Sequence, residues 1–249
     1  MESLKGKVAL VTGSAHRVGK GIALALAEQG VHQVVHYGSS ADEAEQTRQA
    51  VEAHDVRAIT HSTDLSDPAA IGELFAVLEA EFGRLDILVN SAARFDRGPF
   101  DAISVEDWDR SMAVNLRAPF LCMQHAARLM TEGGLIVNIA DNSGVHPWEN
   151  FTQHGVSKAA LLHLTRIGAR VLAPAIRVNA LVLGPIIPTQ GVDEDSERWQ
   201  NAIEWLPLAR SGSVEGIGAM VCQLAVTDFI TGSLIHMDSG EDLLGPGRN

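Results

Sequence analysis

Short apolar runs alternate with longer segments of helical periodicity along almost the whole chain. The runs at 8–11 and 135–140 are rich in valine, isoleucine and leucine, and similar runs recur at 34–37, 57–62, 86–90, 176–181 and 234–240. Strands that are buried on both faces have such near-continuous apolar sequences. The alternation therefore predicts an α/β fold, with a parallel sheet covered by helices on both faces.

The first run leads into a glycine turn and then directly into a helix. Val18, Ile22 and Leu26 fall on one helical face. Gly13 permits a tight turn after the strand, and Gly19 allows close approach to the first helical turn. Because a helix N-terminus carries unpaired N–H groups and a partial positive charge, this turn is suited to a nucleotide diphosphate.

Arg17 is an unusual residue for this turn. A cation in the first turn of a helix opposes the macrodipole unless an anion lies beside it. We interpret Arg17 as a phosphate contact, and the alternative is an exposed side chain on a solvated turn.

Composition limits the functional classes. The 249 residues fit one large domain, and 46% hydrophobic and 20% charged residues are ordinary for a globular protein. A formal net charge of −12 argues against a nucleic-acid surface. Cys122 and Cys222 show no disulfide or metal spacing and are interpreted as small buried hydrophobes. No apolar run is long enough for a membrane span, and no signal peptide precedes the first strand, so we expect a cytoplasmic protein without a metal site.

The spacing Thr-Gly-x-x-x-Arg-x-Gly, at 12–19, resembles the glycine motif of short-chain dehydrogenases/reductases. Arginine in place of the middle glycine is the form found in pteridine reductases. The resemblance implies a single Rossmann-type, doubly wound domain over residues 1–249. It also implies a mainly parallel sheet of seven strands and a nicotinamide cofactor.

The end of the second strand bears on cofactor choice. An acid about 20 residues beyond the glycines would bind the ribose 2′-hydroxyl, but Gly38, Ser39 and Ser40 offer no carboxylate. A 2′-phosphate would then meet hydroxyl donors, with positive charge from the nearby residues His16, Arg17 or His36. Ser40 can alternatively cap the next helix in a capping box with Glu43. The sequence therefore favours NADP(H) over NAD(H).

Further cofactor contacts are implied by the resemblance alone. Asp64 corresponds to an aspartate that lies against the adenine ring, with Leu65 beside it. The segment after the fourth strand resembles an Asn-Asn-Ala-Gly motif under the ribose and nicotinamide, and 184–189 resembles the turn under the nicotinamide. The cofactor residues implied there are Asn90, Ser91, Ala92, Lys158, Gly184 and Ile186, in addition to Val18 in the glycine turn.

The catalytic layout departs from the family pattern at one position. The family has Ser or Asp at the end of strand five, Tyr thirteen residues later and Lys four beyond it. Here these positions hold Asp141, His154 and Lys158, and Asn115 matches a helical asparagine of the proton relay. The i, i+4 spacing places His154 and Lys158 on one helical face. Histidine can act as a general acid near neutral pH, but its ring reaches less far than a phenol, and it can equally be neutral and structural.

Aromatic residues are candidates for the substrate site. Phe95 follows the fourth strand where pteridine reductases have an aromatic residue that stacks on the substrate, although an isolated phenylalanine is more often packed in a core. Trp148 and Trp205 are further candidates. The segment at about 190–206 is predicted to form a substrate lid.

Two functions are compatible with these features. The first is an NADPH-dependent oxidoreductase that reduces a carbonyl or a cyclic imine, including pterin-like rings. The alternative is an NADP(H)-binding protein without hydride transfer that acts as a regulatory or partner subunit. The expected partners are a small-molecule substrate and further copies of the chain, without nucleic acid or membrane. Matching helices at 104–130 and 151–172 pair into tetramers in this family, so we expect a homotetramer, or otherwise a dimer.

Overall fold

The computed structural model describes residues 3–188 and 192–245. The strands are β1 (Val8–Val11), β2 (His32–Tyr37), β3 (Ala58–Ser62), β4 (Ile87–Asn90), β5 (Gly134–Asp141), β6 (Ile176–Leu183) and β7 (Leu234–Met237). The helices are α1 (Arg17–Glu28), α2 (Ala41–Glu52), α3 (Pro68–Phe82), α4 (Val105–Met112), α5 (Ala118–Leu129), α6 (Thr152–Val171), α7 (Glu197–Glu204) and α8 (Val214–Val226). None of the described helices is both long and apolar enough to cross a membrane.

The strands form one seven-stranded sheet in the order β3-β2-β1-β4-β5-β6-β7. Every neighbouring pair is parallel, so the predicted parallel α/β fold is confirmed. The strand order reverses between β1 and β4, where the connections leave toward opposite edges. In sheets of this kind, the crevice at that reversal, outside the carboxyl ends of the strands, is the usual ligand site.

Alternate residues of each strand supply two cores on opposite faces of the sheet. Leu10 of β1 packs with Leu74 of α3 on one face. Its neighbours Ala9 and Val11 pack with Ile22 of α1 on the other face. Because both faces are covered by helices, a strand with no polar face is stable here. The cores fix the carboxyl ends of the strands at one edge.

The helix predicted at 104–130 is interrupted. The structure has α4, then a π-helical turn over Ala113–Arg117, then α5. A π turn inserts one extra residue into a helix and changes the direction of the side chains around it. Asn115 lies inside this turn, so its amide is directed by the insertion toward the loop after β4.

Candidate active site

The glycine turn is fixed by hydrogen bonds to the end of β2. Gly13 has φ +68° and donates its N–H to Nδ1 of His36 at 2.9 Å. Ser14 N–H donates to the His36 carbonyl oxygen at 3.0 Å. A Cβ on Gly13 would lie 2.9 Å from Cα of Ala92, so glycine is required both by conformation and by the close approach of the loop after β4.

Helix α1 begins at Arg17, which has φ 56°, a left-handed conformation that is unusual for a residue other than glycine. The first intrahelical hydrogen bond runs from Lys20 N–H to the His16 carbonyl oxygen. The N–H groups of Val18 and Gly19 therefore precede the helix's own hydrogen bonding. The Arg17 guanidinium donates to the carbonyl oxygen of Pro188 at 2.9 Å.

His36 differs from the expectation that it could supply positive charge to a 2′-phosphate. Its ring is buried, with Nδ1 accepting from Gly13 and Nε2 at 3.2 Å from the Thr63 carbonyl oxygen. Burial lowers the pKa of His36 to about 4, and His61 adds to the effect, although the bond to Thr63 opposes it. The neutral imidazole joins β2, β3 and the glycine turn.

The capping box that was the alternative role for Ser40 at α2 does not form. Ser40 occupies the N-cap position, but its side chain makes no capping hydrogen bond. Ser39 and His16 are exposed on the same edge of the sheet. The two hydroxyls and the His16 ring are thus available to a ligand, because the helix does not use them as caps.

Asp64 and Leu65 lie at the end of β3. Asp64 is exposed, and it accepts a hydrogen bond from Ser66 N–H at 2.8 Å, which holds the pKa of the carboxyl below its usual range. Leu65 is buried beneath it. The turn therefore presents a fixed carboxylate at the sheet edge, where the resemblance implies an adenine contact.

The loop after β4 is held by side chains inside the sheet. Thr12 Oγ1 accepts from the N–H groups of Ser91 and Ala92 at 3.0 and 3.1 Å. Buried Asn90 donates from Nδ2 to Oδ1 of Asn138 at 2.8 Å. These bonds fix the backbone that passes beside the glycine turn.

Asp141 and His154 form a direct pair. Nε2 of His154 lies 2.8 Å from Oδ2 of Asp141, and Nδ1 lies 2.9 Å from the Arg94 carbonyl oxygen. Both partners are hydrogen-bond acceptors, so each ring nitrogen is placed to donate. The His154 side chain is only 1% exposed, and the ring of Phe95 packs edge-on against it at 4.7 Å between centroids.

Three neighbouring residues act on the Asp141 carboxyl. Burial acts to raise its pKa, but the hydrogen bond from His154 and the charge of Lys158 outweigh burial and hold the pKa below its usual range. Ser143 donates both its N–H and its hydroxyl to Oδ1. Asp141 is therefore an ionised carboxylate held in one orientation.

Lys158 is buried one helical turn after His154. Its ammonium donates to the Ile139 carbonyl oxygen at 2.8 Å. Burial lowers the pKa of Lys158, and the charge of Asp141 opposes that shift. The lysine thus acts on Asp141 through its charge.

Asn115 joins the π turn to the loop after β4. Its Oδ1 accepts from Arg94 N–H at 2.7 Å, and its Nδ2 donates to the Arg94 carbonyl oxygen at 2.9 Å. Nδ2 also lies 3.1 Å from Oγ of Ser157. The Arg94 carbonyl oxygen, shared by Asn115 and His154, is consequently fixed in place.

A cavity of about 720 Å³ opens beside these residues, between the glycine turn and the segment after β6. Asp141, Phe95 and Trp148 line it, and so do Gly184 and Ile186. Within the described residues, no cluster of histidine, cysteine and carboxylate side chains could hold a metal ion. His154 does not line the cavity, so the carboxylate of Asp141 is the part of the pair that faces it.

The cavity is lined by Trp199 and not by Trp205. Trp199 lies in the first turn of α7, whereas Trp205 follows its last residue. Six residues correspond to more than one and a half turns, so the two rings leave the helix in different directions. Residues 190 and 191 of the predicted lid, and Thr189 before it, lie outside the described residues.

Sequence reasoning missed Glu241, which also lines the cavity. Its Oε2 accepts from Nδ2 of Asn142 at 2.7 Å, and the same amide donates to Oδ2 of Asp238 at 3.2 Å. One signal could have identified it. The carboxyl ends of parallel strands meet at one edge, and Glu241 follows the last strand by only four residues.

The residues at this edge fit a nicotinamide dinucleotide. A helix N-terminus with Arg17 suits the diphosphate, because both supply donors and positive charge. The segment Gly38 to Ser40 offers hydroxyls and no carboxylate beside the neutral His36. The cavity begins where this crevice meets Asp141.

Comparisons with known proteins agree with this architecture. A family model described as enoyl-(acyl carrier protein) reductase matches residues 13–241. A short-chain type dehydrogenase/reductase of Picea abies is 32% identical, over 96% of this chain and 93% of that protein. A short-chain dehydrogenase of Burkholderia cenocepacia J2315 in complex with NADP is 32% identical with a TM-score of 0.91, covering 97% of this chain and 100% of that one.

A neighbour with the other cofactor has the same fold. An NAD+-bound xylitol dehydrogenase is 29% identical with a TM-score of 0.87, covering 96% of this chain and 100% of that one. The architecture alone therefore does not choose between the two cofactors. The family model matches residues 13–241, and the relative from Picea abies is 32% identical over 96% of this chain. The chain therefore belongs to the short-chain dehydrogenase/reductase family, whose members are oxidoreductases that use nicotinamide cofactors.

Proposed function

We propose that this protein is an NADP(H)-dependent oxidoreductase that reduces a carbonyl or a cyclic imine, with pterin-like rings among the candidate substrates. One observation carries the proposal. The Asp141 carboxylate, backed by His154 and charged Lys158, faces a cavity that begins at the N-terminal end of α1. A reducible group in this cavity would lie between the cofactor crevice and a fixed carboxylate.

The cofactor would be held by backbone and side-chain groups at the sheet edge. Arg17 and the first turn of α1 would bind the diphosphate, and Ser39 and Ser40 would bind the 2′-phosphate. Asn90 and Lys158 would contribute at the nicotinamide end of the cofactor, as the family resemblance implies. When bound, the reduced cofactor supplies the two electrons and the hydrogen that reduce the substrate carbon.

His154 and Lys158 together hold the Asp141 carboxylate ionised and in one orientation. Asp141 stays ionised because His154 donates to it and Lys158 lies nearby. His154 is held by the Arg94 carbonyl oxygen on its other side, so the pair forms a rigid unit. A carboxylate in this position stabilises positive charge that develops on a substrate nitrogen and orients a water that carries a proton.

The assay that tests this proposal follows NADPH oxidation with a panel of ketones, cyclic imines and pterins. We expect wild-type turnover with at least one member. His154→Phe removes both hydrogen bonds of the ring, so we expect the rate of reduction to fall by roughly 10² or more while NADPH affinity changes little. His154→Tyr introduces the phenol of the family pattern beside Lys158, and we expect it to raise carbonyl reduction.

A second candidate function is binding of NADP(H) without hydride transfer. The observation that favours it is the burial of His154 behind Asp141 and Phe95, out of contact with the cavity. Turnover distinguishes the two functions, because both require cofactor binding. If neither the wild type nor His154→Tyr oxidises NADPH with any compound of the panel, the oxidoreductase proposal is wrong.

A further inference from the structure

Glu241 is a carboxyl group inside the cavity that the mechanism above does not use. We infer that Glu241 is the proton donor for a cyclic imine bound in this cavity, and that the Asp141 carboxylate stabilises the iminium cation that results. The inference deepens the proposed function and rests on it, because it names the class of substrate and the donor for the same site.

The position of Glu241 is set by the turn after β7. Gly240, with φ +86°, packs against Pro207, where a Cβ would lie 2.9 Å from a ring carbon. The short 3-10 helix Glu241–Leu244 begins directly after it. Glu241 is 8% exposed, and it is one of the residues that line the cavity.

Only one of the two Glu241 oxygens is used by the protein. Oε2 accepts from Asn142, whereas Oε1 has no hydrogen-bond partner among residues 3–188 and 192–245. Asn142 is itself buried, and its Oδ1 also has no partner there. An unpaired carboxyl oxygen on a residue that lines a cavity is placed to exchange a proton with a ligand.

The surroundings of Glu241 favour its protonated form. Burial raises the pKa of Glu241, and the charges of Asp238 and Asp141 raise it further. The hydrogen bond from Asn142 and the nearby His146 oppose the shift without reversing it. Asp141, by contrast, has a lowered pKa. Two carboxyl groups whose pKa values are moved apart in one site are typical of an acid and a stabilising anion.

The other groups that line the cavity suit a flat organic cation. Phe95, Trp148 and Trp199 present aromatic rings, which bind cations through their faces. Among the described residues that line the cavity, Arg17 supplies positive charge, and its guanidinium is already bonded to the Pro188 carbonyl oxygen. An anionic substrate would instead meet two carboxyl groups.

His154 is not placed to be the donor. Its side chain is 1% exposed, and both ring nitrogens are within hydrogen-bond distance of protein acceptors. Direct transfer from His154 to a ligand would require Asp141 and Phe95 to move aside. Glu241 meets the ligand without any rearrangement of the pair.

The step is a proton transfer without a change in oxidation state. The O–H bond at Oε1 of Glu241 breaks, an N–H bond forms at the imine nitrogen, and the Glu241 carboxylate and an iminium remain. The iminium carbon is then the position that a bound reduced nicotinamide would reduce to give an amine, and solvent returns the proton to Glu241. A substrate that already carries a permanent positive charge needs no such proton.

The experiment compares 3,4-dihydroisoquinoline with its N-methyl iminium salt in wild type and Glu241→Gln. Glutamine keeps the shape and the bond to Asn142 but carries no acid proton. We expect kcat/KM for the imine to fall by roughly 10² to 10³ and that for the iminium salt to change less than about threefold. Glu73→Gln, an exposed carboxyl on α3, is the matched control and should behave as wild type.

A second readout does not need turnover. The absorption of dihydroisoquinoline differs between its neutral and protonated forms, so the bound form can be observed with oxidised cofactor at a pH above the ligand's own pKa. We expect the wild type to bind the protonated form and Glu241→Gln the neutral form. The same protonation state in both proteins, absence of binding, or equal loss with both substrates would overturn the inference. A protonated bound imine without NADPH oxidation would instead contradict the proposed function alone.

Discussion

The sequence spacing predicts that His154 stands where the family pattern has a tyrosine, and in the structure its imidazole contacts Asp141 and the Arg94 carbonyl oxygen. A phenol at this position would be expected to reach the substrate. The shorter imidazole ends at Asp141 and leaves that carboxylate to face the cavity. The sequence shows the spacing of Asp141, His154 and Lys158. It cannot show that Nδ1 of His154 is hydrogen-bonded to the Arg94 carbonyl oxygen, because that contact depends on the π turn.

His36 illustrates how burial changes the chemistry of a residue whose position was predicted. It lies at the end of β2 beside the cofactor crevice, as expected, but as a neutral hydrogen-bond acceptor for Gly13. Its pKa falls from the ordinary 6.5 to about 4. Between these values the unfolded chain binds a proton that the folded protein does not. The contribution of the neutral His36 to the free energy of unfolding is therefore fully present above about pH 6.5 and is lost as the pH falls toward 4.

We expect His36→Asn to reduce this pH dependence. Asparagine can accept from Gly13 but does not titrate. The free energy of unfolding of the wild type should fall between about pH 7 and pH 4.5 by about 2 kcal/mol more than that of the variant. Urea denaturation at the two pH values measures the difference. His54→Asn, on an exposed histidine, should retain the wild-type dependence. Equal slopes for wild type and His36→Asn would contradict the buried neutral assignment.

At the scale of elements, the helix around Asn115 shows what periodicity cannot reveal. The apolar pattern correctly indicates a helical segment near 104–130, since α4, the π turn and α5 are all helical. A single inserted residue leaves that pattern almost unchanged. The insertion nevertheless directs the Asn115 amide to both polar groups of the Arg94 backbone. The sequence pattern also cannot tell whether Trp199 or Trp205 reaches the cavity, because that depends on where α7 begins and ends.

We propose that the turn between β2 and α2 determines the choice between NADP(H) and NAD(H). Ser39 is exposed, and Ser40 is not used as a cap, so a carboxylate introduced here would meet the adenosine ribose. We expect Ser39→Asp to weaken NADPH binding roughly tenfold through repulsion of the 2′-phosphate, and to leave NADH binding unchanged or tighter. Titration of both cofactors into the purified protein measures this.

The control for this prediction is Ala53→Asp at the C-terminal end of α2, which adds the same charge far from the ribose. It should leave both affinities close to those of the wild type. Tighter binding of NADH than of NADPH by the wild type would contradict the predicted preference. An unchanged NADPH affinity in Ser39→Asp would show that the 2′-phosphate binds elsewhere.

For the whole molecule, the sequence predicts the architecture well because a parallel sheet leaves a strong signal. Strands buried on both faces have near-continuous apolar sequences without alternating polar residues. The glycine turn after β1 indicates where the ligand crevice lies. The composition of the cavity is less predictable, because its walls come from segments far apart in the chain. Glu241 and Asp141 are separated by 100 residues and meet only because β5, β6 and β7 are neighbours in the sheet.

The outer faces of α5 and α6 bear on assembly. Phe120 on α5 is 43% exposed, and Val156, Ile167 and Val171 on α6 are 46%, 46% and 66% exposed. The three α6 residues are separated by 11 and 4 positions, which places them on one side of the helix. An exposed apolar stripe of this kind is typical of an interface between subunits.

We expect the protein to be a homotetramer in which copies of these helices pair across a two-fold axis. In a symmetric interface one substitution is present twice, so Ile167→Glu combined with Val156→Glu places four carboxylates in an apolar contact. Light scattering at micromolar concentration should give a tetramer for the wild type and a smaller assembly for the double variant. Ala53→Glu, on the exposed end of α2, should remain tetrameric, because its charge lies outside these helices. A wild type with the mass of a monomer would show that the stripe on α6 has another role.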